Sequence, residues 1–364
     1  LTDISGRVRA QGAAQDYLEG RPTHVAKLAL NLARQLEGVA AFPLYSKARL
    51  LWEDQDLTHV QNAYLAWANE FLRRGFPQRA SETLADAPEG EEVTFLQART
   101  LERAGLFKEA LKELEGLSET PEILALKGAL YWRLGKPEEA KQASEKALEG
   151  DMEARAEAFN TLGHLARSHR DFEEAAAFAR RAAALWKSLG MQARWVGALN
   201  NAAVTATFMG QPAKEAYQDA LAAAGDNPLL KARTLLNIGV SHERSNELEE
   251  AESVYQDAAN LAEKAGATDT IANIWNNLGV LYHRQSLNQK AEICYEKALS
   301  FAQKAGEPRL LGLFMANLAE LTENIEAWKE ALRILEESGH QDAAETCRTG
   351  LSENHPFREY VRSS

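Results

Sequence analysis

Asparagine recurs at matching places between residues 160 and 317 of this 364-residue chain. Each occurrence lies in a segment whose apolar spacing predicts the first helix of a helical hairpin. The carboxamide both donates and accepts hydrogen bonds, so a row of these groups can hold an extended peptide by its backbone. The alternative is that each asparagine ties adjacent helices together inside the fold. The candidates are Asn160, Asn200, Asn201, Asn237, Asn276, Asn277 and Asn317.

Three arginines, Arg167, Arg244 and Arg284, lie near the ends of the same predicted first helices. The guanidinium group recognises carboxylates through paired donors. Arg244 and Arg284 take the same place in adjacent segments, so both are candidates to meet an acidic group of a ligand. Pairing with glutamates on neighbouring helices, such as Glu243, is the equally open alternative. The surrounding charges are mixed, so the pattern does not fix the sign of a ligand's charge.

The spacings on which common enzymes depend are missing from the sequence. It contains no glycine-rich phosphate loop, no HExxH or paired CxxC motif and no GxSxG segment. His164 and His169 lie five residues apart on one predicted helix, which is poor spacing for a shared metal ion. We therefore predict a protein that is not an enzyme and that uses no cofactor or metal.

The clearest structural pattern runs from residue 272 to residue 298. It predicts two antiparallel helices with apolar stripes at helical spacing and a short break near Ser286. We expect Gly279 and Ala291 to be small because the two helices cross closely there. The first stripe consists of Trp275, Leu278, Gly279 and Tyr282, and the second consists of Ala291, Tyr295 and Ala298.

Comparable segments recur along most of the chain. The residues equivalent to Gly279 stand at 68, 98, 128, 163, 203, 239, 279 and 319, so the gaps range from 30 to 40 residues. The spacing W-x2-L-G-x2-Y followed by A-x3-Y-x2-A resembles the signature of the tetratricopeptide repeat family. That resemblance implies an all-α fold, a right-handed superhelical solenoid of about eight helix hairpins, in which each hairpin buries its apolar face against its neighbours.

The repeat spacing predicts four regions. Residues 1–56 are helical and are either degenerate repeats or a cap. Residues 57–150 form compact repeats, and residues 151–352 form longer ones. Residues 353–364 are a frayed or extended C-terminal tail.

Composition indicates a cytoplasmic protein. The net charge of −12 argues against direct nucleic-acid binding through this region. We expect no membrane span, because the sequence has no sufficiently long apolar run. Two cysteines are too few for a disulfide scaffold. The chain starts at Leu1 without methionine, and we expect it to be a piece of a longer protein with additional domains.

In tetratricopeptide arrays the first helices line a concave groove, so the resemblance implies that the asparagine row faces such a groove. We therefore predict a non-enzymatic scaffold for protein–protein interaction that takes a protein or peptide segment in this groove. The alternative is an arm that senses a ligand or peptide within a larger bacterial transcriptional regulator, because the longer repeats also resemble the tetratricopeptide arms of bacterial multidomain regulators.

Overall fold

A computed structural model describes residues 57–73, 77–305, 308–338, 343–345 and 347–348, and these residues contain α-helices and no strands. The predicted N-terminal region 1–56 and the tail 353–364 lie outside the described residues. Sixteen helices, α1 to α16, pair in chain order into eight hairpins within residues 57–338. The chain divides into two compact units, the first ending at Leu117 and the second beginning at Ser118.

The described part of the first unit contains the four helices α1 to α4. Their bounds are α1 Leu57–Arg73, α2 Pro77–Ala85, α3 Glu91–Arg103 and α4 Phe107–Glu113. Its core includes Phe71, Leu84, Val93 and Leu96, all buried. The amide of Gln61 donates to the carbonyl oxygen of Pro88 at 3.3 Å and so joins α1 to the loop before α3.

The second unit contains the other six hairpins. Their bounds are α5 Pro121–Arg133, α6 Pro137–Ala147, α7 Met152–Ser168, α8 Phe172–Ser188, α9 Gln192–Phe208, α10 Lys214–Ala224, α11 Pro228–Arg244, α12 Leu248–Ala265, α13 Thr268–Arg284, α14 Asn288–Ala305, α15 Pro308–Leu321 and α16 Ile325–Glu337. The first helices α7, α9, α11 and α13 each have 17 residues, whereas α15 has 14 and is about one turn shorter.

Short polar side chains begin several of these helices. Thr120, Asp151 and Asn227 each accept a hydrogen bond from a backbone N–H in the first turn of α5, α7 and α11. These bonds satisfy donors that have no partner within the helix. Residues with left-handed backbone conformation form the turns inside the hairpins, and only some of them are glycine. They include Gly135, Arg170, Gly210, Asn246 and Ser286.

Close packing inside a hairpin depends on a small residue in the first helix, as the sequence predicts. A Cβ atom added to Gly279 would lie 2.5 Å from Cε1 of Tyr295 and 2.6 Å from its Cδ1. Gly239 and Tyr255 form the same pair one hairpin earlier. Both tyrosines are buried in the largest apolar cluster of the unit, together with Ile274.

Consecutive hairpins stack through two kinds of contact. Within the second unit, the second helix of each hairpin packs against the first helix of the next, as α8 packs against α9 and α12 against α13. First helices also contact one another directly in the pairs α5–α7, α9–α11, α11–α13 and α13–α15. The surface formed by α7, α9, α11, α13 and α15 is called the first-helix face below.

Candidate ligand-binding site

Hydrogen bonds between side chains join the first helices of consecutive hairpins. Nδ2 of Asn201 in α9 donates to Oδ1 of Asn160 in α7 at 2.9 Å. Nδ2 of Asn317 in α15 donates to Oδ1 of Asn276 in α13 at 2.7 Å. These two bonds are equivalent, and each spans 41 residues of sequence. Between them, Nδ2 of Asn200 donates to the hydroxyl of Thr234 in α11 at 3.1 Å.

Exposure separates the seven candidate asparagines into two groups. Five are buried, with exposed fractions of 5% or less. This buried group consists of Asn200, Asn237, Asn276, Asn277 and Asn317. Asn160 and Asn201 are partly exposed. Contact of the whole row with a peptide stays a prediction, and the geometry favours Asn160 and Asn201 as the amides that a ligand can reach.

The three candidate arginines have three different environments. Nη1 of Arg284 donates to Oε1 of Glu243 at 2.9 Å and to the backbone oxygen of Glu243 at 3.2 Å. The Glu243 carboxylate is fully buried and also accepts from the hydroxyl of Tyr255. Arg244 is exposed, and its guanidinium lies 4.3 Å from the ring centre of Phe208. Arg167 donates to Nδ1 of His164 at 2.8 Å.

Arg167 and the two partly exposed asparagines, Asn160 and Asn201, line one small cavity of the second unit. The cavity lies between α7 and α9 and is backed by α8, and its volume of about 10 Å³ has room for about one water molecule. Its lining consists of Asn160, Gly163, His164, Arg167, Ala175, Ala179, Asn201 and Thr205. The structure thus brings three of the ten candidate residues together, and it separates them from Arg244 and Arg284.

Burial keeps His164 neutral. The side chain is 5% exposed, and its ring stacks on that of Trp132 with centres 4.4 Å apart. Burial lowers the pKa of His164 well below its usual value, and the charges of Arg167 and Arg133 lower it further. The unprotonated Nδ1 can therefore accept the hydrogen bond from Arg167. Burial also lowers the pKa of Arg167, which keeps its charge because its ordinary pKa is far above neutrality.

The described part of the chain holds no group of three or more His, Cys, Asp or Glu side chains that could bind a metal ion. Among the described helices, none is long and apolar enough to span a membrane.

Comparison with known proteins agrees with the hairpin geometry. Three sequence models, each described as tetratricopeptide repeat, match residues 121–149, 234–266 and 270–338. These segments are tetratricopeptide repeats. The matched ranges cover helices α5 and α6 completely, most of α11 with all of α12, and nearly all of α13 with α14 to α16. No curated protein sequence matches the chain.

Solved structures share the tetratricopeptide fold at low sequence identity. A Rap protein complexed with Competence and Sporulation Factor is 15% identical with a TM-score of 0.56, and the match covers 81% of this chain and 94% of that one. A signal transduction ATPase with numerous domains and a tetratricopeptide repeat sensor, from Pyrococcus horikoshii, is 17% identical with a TM-score of 0.57. That match covers 90% of this chain and 55% of the other.

A third structure, the APC/C hetero-tetramer Cut9-Hcn1, is 18% identical with a TM-score of 0.50 and is covered over 62% of its chain. At these identities the likeness concerns the fold, and it confirms the predicted all-α tetratricopeptide repeat. This fold is generally a non-enzymatic scaffold that binds other proteins, and the same scaffold serves many different partners.

Proposed function

We propose that the second unit binds an extended segment of a partner protein or a peptide along its first-helix face. The observation that carries the proposal is the partly exposed amide pair Asn160 and Asn201 at the rim of a polar cavity. The amide hydrogens of Asn160 are not donated to any described residue, so they are available to a backbone carbonyl of a ligand.

The buried asparagines have a different role in this proposal. Asn317 donates a hydrogen bond to Asn276 and so fixes the spacing of the hairpins that contain α13 and α15. The Asn160–Asn201 hydrogen bond does the same for the hairpins that contain α7 and α9. A binding groove depends on that spacing, because its donors and acceptors must stay aligned along the ligand. The Rap protein complexed with Competence and Sporulation Factor supports the proposal as an example of this fold holding another molecule.

A display library of random eight-residue peptides tests this proposal. The immobilised chain should enrich a subset of peptides, and the double variant Asn160→Ala/Asn201→Ala should lose most of them. The control is Lys141→Ala, which changes an exposed side chain on the second helix α6. Equal enrichment by all three proteins would place the binding surface elsewhere, and no enrichment by the unchanged chain would refute peptide binding.

The second candidate function is a sensing arm of a larger regulator. It is favoured by the likeness to a multidomain signalling ATPase whose tetratricopeptide repeats form a sensor, over 90% of this chain. In that case the ligand is a small signal or peptide, and a neighbouring domain controls transcription. The complete gene decides between the two candidates: a DNA-binding or nucleotide-binding domain in the same reading frame would favour the regulator.

A cytoplasmic location is part of both proposals. Cys294 is a buried free thiol, and burial raises its pKa to about 11. Free thiols persist most readily in a reducing compartment.

A further inference from the structure

Each first helix of the second unit contains one glycine, and the glycine of α9 differs from the others in its surroundings. In the other five helices, a Cβ atom added to the glycine would lie 3.4 Å or less from the second helix of the same hairpin. These five are Gly128, Gly163, Gly239, Gly279 and Gly312. A Cβ atom at Gly197 in α9 would meet no described residue within 4 Å outside the backbone of its own helix. Close helix packing therefore does not explain Gly197, and in α9 the small packing residue is the buried Ala203.

Backbone conformation does not explain this glycine either. Gly197 lies inside the 17-residue helix α9 and has no positive φ. Glycine inside a helix is unfavourable compared with alanine, because it loses more conformational freedom on folding. The chain thus carries an unfavourable residue that neither a turn nor its own packing requires. Close approach of another molecule to the helix is the remaining use of a missing side chain.

The position of Gly197 puts it on the first-helix face. It precedes Asn201 by four residues, so the two residues lie on the same side of α9. Asn201 bonds Asn160 of α7 on that face. At the place equivalent to Gly197, the neighbouring first helices carry long side chains, Glu157 in α7 and Arg233 in α11. The gap at Gly197 between these two side chains is called the Gly197 notch below.

The charges that border the Gly197 notch have partners within the chain. Glu157 forms an ion pair with Arg194 of α9, and the Arg194 guanidinium also lies 4.7 Å from the ring centre of Trp186. Nη2 of Arg233 donates to Oδ2 of Asp269 at 2.9 Å. A charged side chain that enters the notch would lose water without gaining a new counter-ion. An apolar side chain gains free energy from the same burial.

We propose that the Gly197 notch receives one large uncharged side chain of the bound segment, an inference that deepens the proposed function and rests on it. The amides of Asn160 and Asn201 hold the backbone of the segment and are indifferent to its sequence. Side chains alternate in direction along an extended chain, so some of them point towards α9. The notch admits one of these side chains and supplies the sequence preference that the amide pair lacks.

Two variants close the notch without removing a contact of the fold. Gly197→Leu fills it, and Gly197→Ala fills it in part. Because the site is open and both new residues favour a helix, both variants should unfold in urea at the wild-type midpoint or above it. The control is Ala222→Leu, which enlarges an exposed side chain on α10, the second helix of the same hairpin. Weaker binding by a variant at least as stable as the wild type cannot be attributed to unfolding.

The probe is again a library of random eight-residue peptides. We expect the wild type to enrich peptides with a large apolar or aromatic residue at one fixed place. For such a peptide, Gly197→Leu should raise Kd about tenfold or more, Gly197→Ala should raise it less, and Ala222→Leu should leave it unchanged.

A second synthetic peptide, with alanine at the fixed place, separates the notch from the rest of the face. It should bind the wild type more weakly than the parent peptide does. Gly197→Leu should not weaken it further, because no large side chain of this peptide competes for the notch. If the leucine variant unfolds early, Gly197→Ala carries the same comparison.

Several results would overturn the inference. Enriched peptides without a fixed large uncharged residue would leave peptide binding intact and remove the selective role of the notch. The same conclusion follows if Gly197→Leu binds the parent peptide as the wild type does, or if it weakens the alanine peptide equally. If the wild type enriches no peptide at all, the proposed function fails and the inference fails with it.

Discussion

Replacing Gly279 by alanine introduces one methyl group where the structure has no room for it. The new Cβ would lie 2.5 Å from Cε1 of Tyr295, far inside normal contact distance. The Tyr295 side chain is 1% exposed and is surrounded by other core residues, so the ring cannot retreat to solvent. Such overpacking costs about 1–3 kcal/mol, which exceeds the gain of up to about 1 kcal/mol from the higher helix propensity of alanine.

The equivalent change at Gly163 should have the opposite effect. The nearest atom to a Cβ at this position is Cβ of Phe178 at 3.4 Å, which is an ordinary contact. Helix propensity then dominates, and we expect Gly163→Ala to be neutral or to stabilise by up to about 1 kcal/mol. The two substitutions are chemically identical and fall at the same place in two hairpins, so the contrast isolates the tyrosine.

Urea unfolding followed by circular dichroism measures both effects as shifts of the midpoint at unchanged slope. The double variant Gly279→Ala/Tyr295→Leu should recover part of the loss, because the smaller side chain makes room for the methyl group. Loss of stability at Gly163 equal to that at Gly279 would refute the reasoning, since it would make glycine necessary for a reason other than the ring.

Three further predictions concern the polar contacts. Burial keeps His164 neutral in the folded protein, whereas the unfolded chain binds a proton there below pH 6.5. The free energy of unfolding should therefore fall as the pH drops below 6.5, by up to about 1.4 kcal/mol per pH unit. Unfolding curves of His164→Gln should lack this pH-dependent loss of stability. A double-mutant cycle with Asn276→Ala and Asn317→Ala should give a coupling of about 0.5–1.5 kcal/mol, and a value near zero would contradict a structural bond. Arg284→Met should destabilise by about 1.5–3 kcal/mol because it strands the buried Glu243 carboxylate, and Arg284→Met/Glu243→Gln should recover much of that loss in thermal unfolding.

Sequence spacing predicts the hairpins because each hairpin buries apolar residues at the same positions of its two helices. The pair Gly279 and Tyr295 is visible in the sequence as a small residue opposite a large one at a fixed offset. The left-handed turns at Gly105 and Gly135 are predictable for a related reason, since glycine adopts positive φ without steric cost. The turns at Arg170, Ser286 and Glu323 have the same left-handed backbone, but these residue types do not predict it from the sequence.

The candidate site was only partly predictable. An asparagine in a first helix can face either the open first-helix face or the next hairpin. Which of the two it faces depends on how closely the two hairpins stack. Asn276 is buried by that stacking, whereas the equivalent Asn160 stays partly exposed.

Among the described helices of the second unit, every substantial helix–helix contact joins helices that are neighbours or next neighbours along the chain. The loops that must close before a contact can form are therefore short, and chains of this kind fold fast for their size. Each hairpin needs only the one beside it, so α7 and α8 can pack on α5 and α6 while the later helices are still being synthesised. Each hairpin of this unit can therefore become compact before the C-terminal part of the chain has been synthesised.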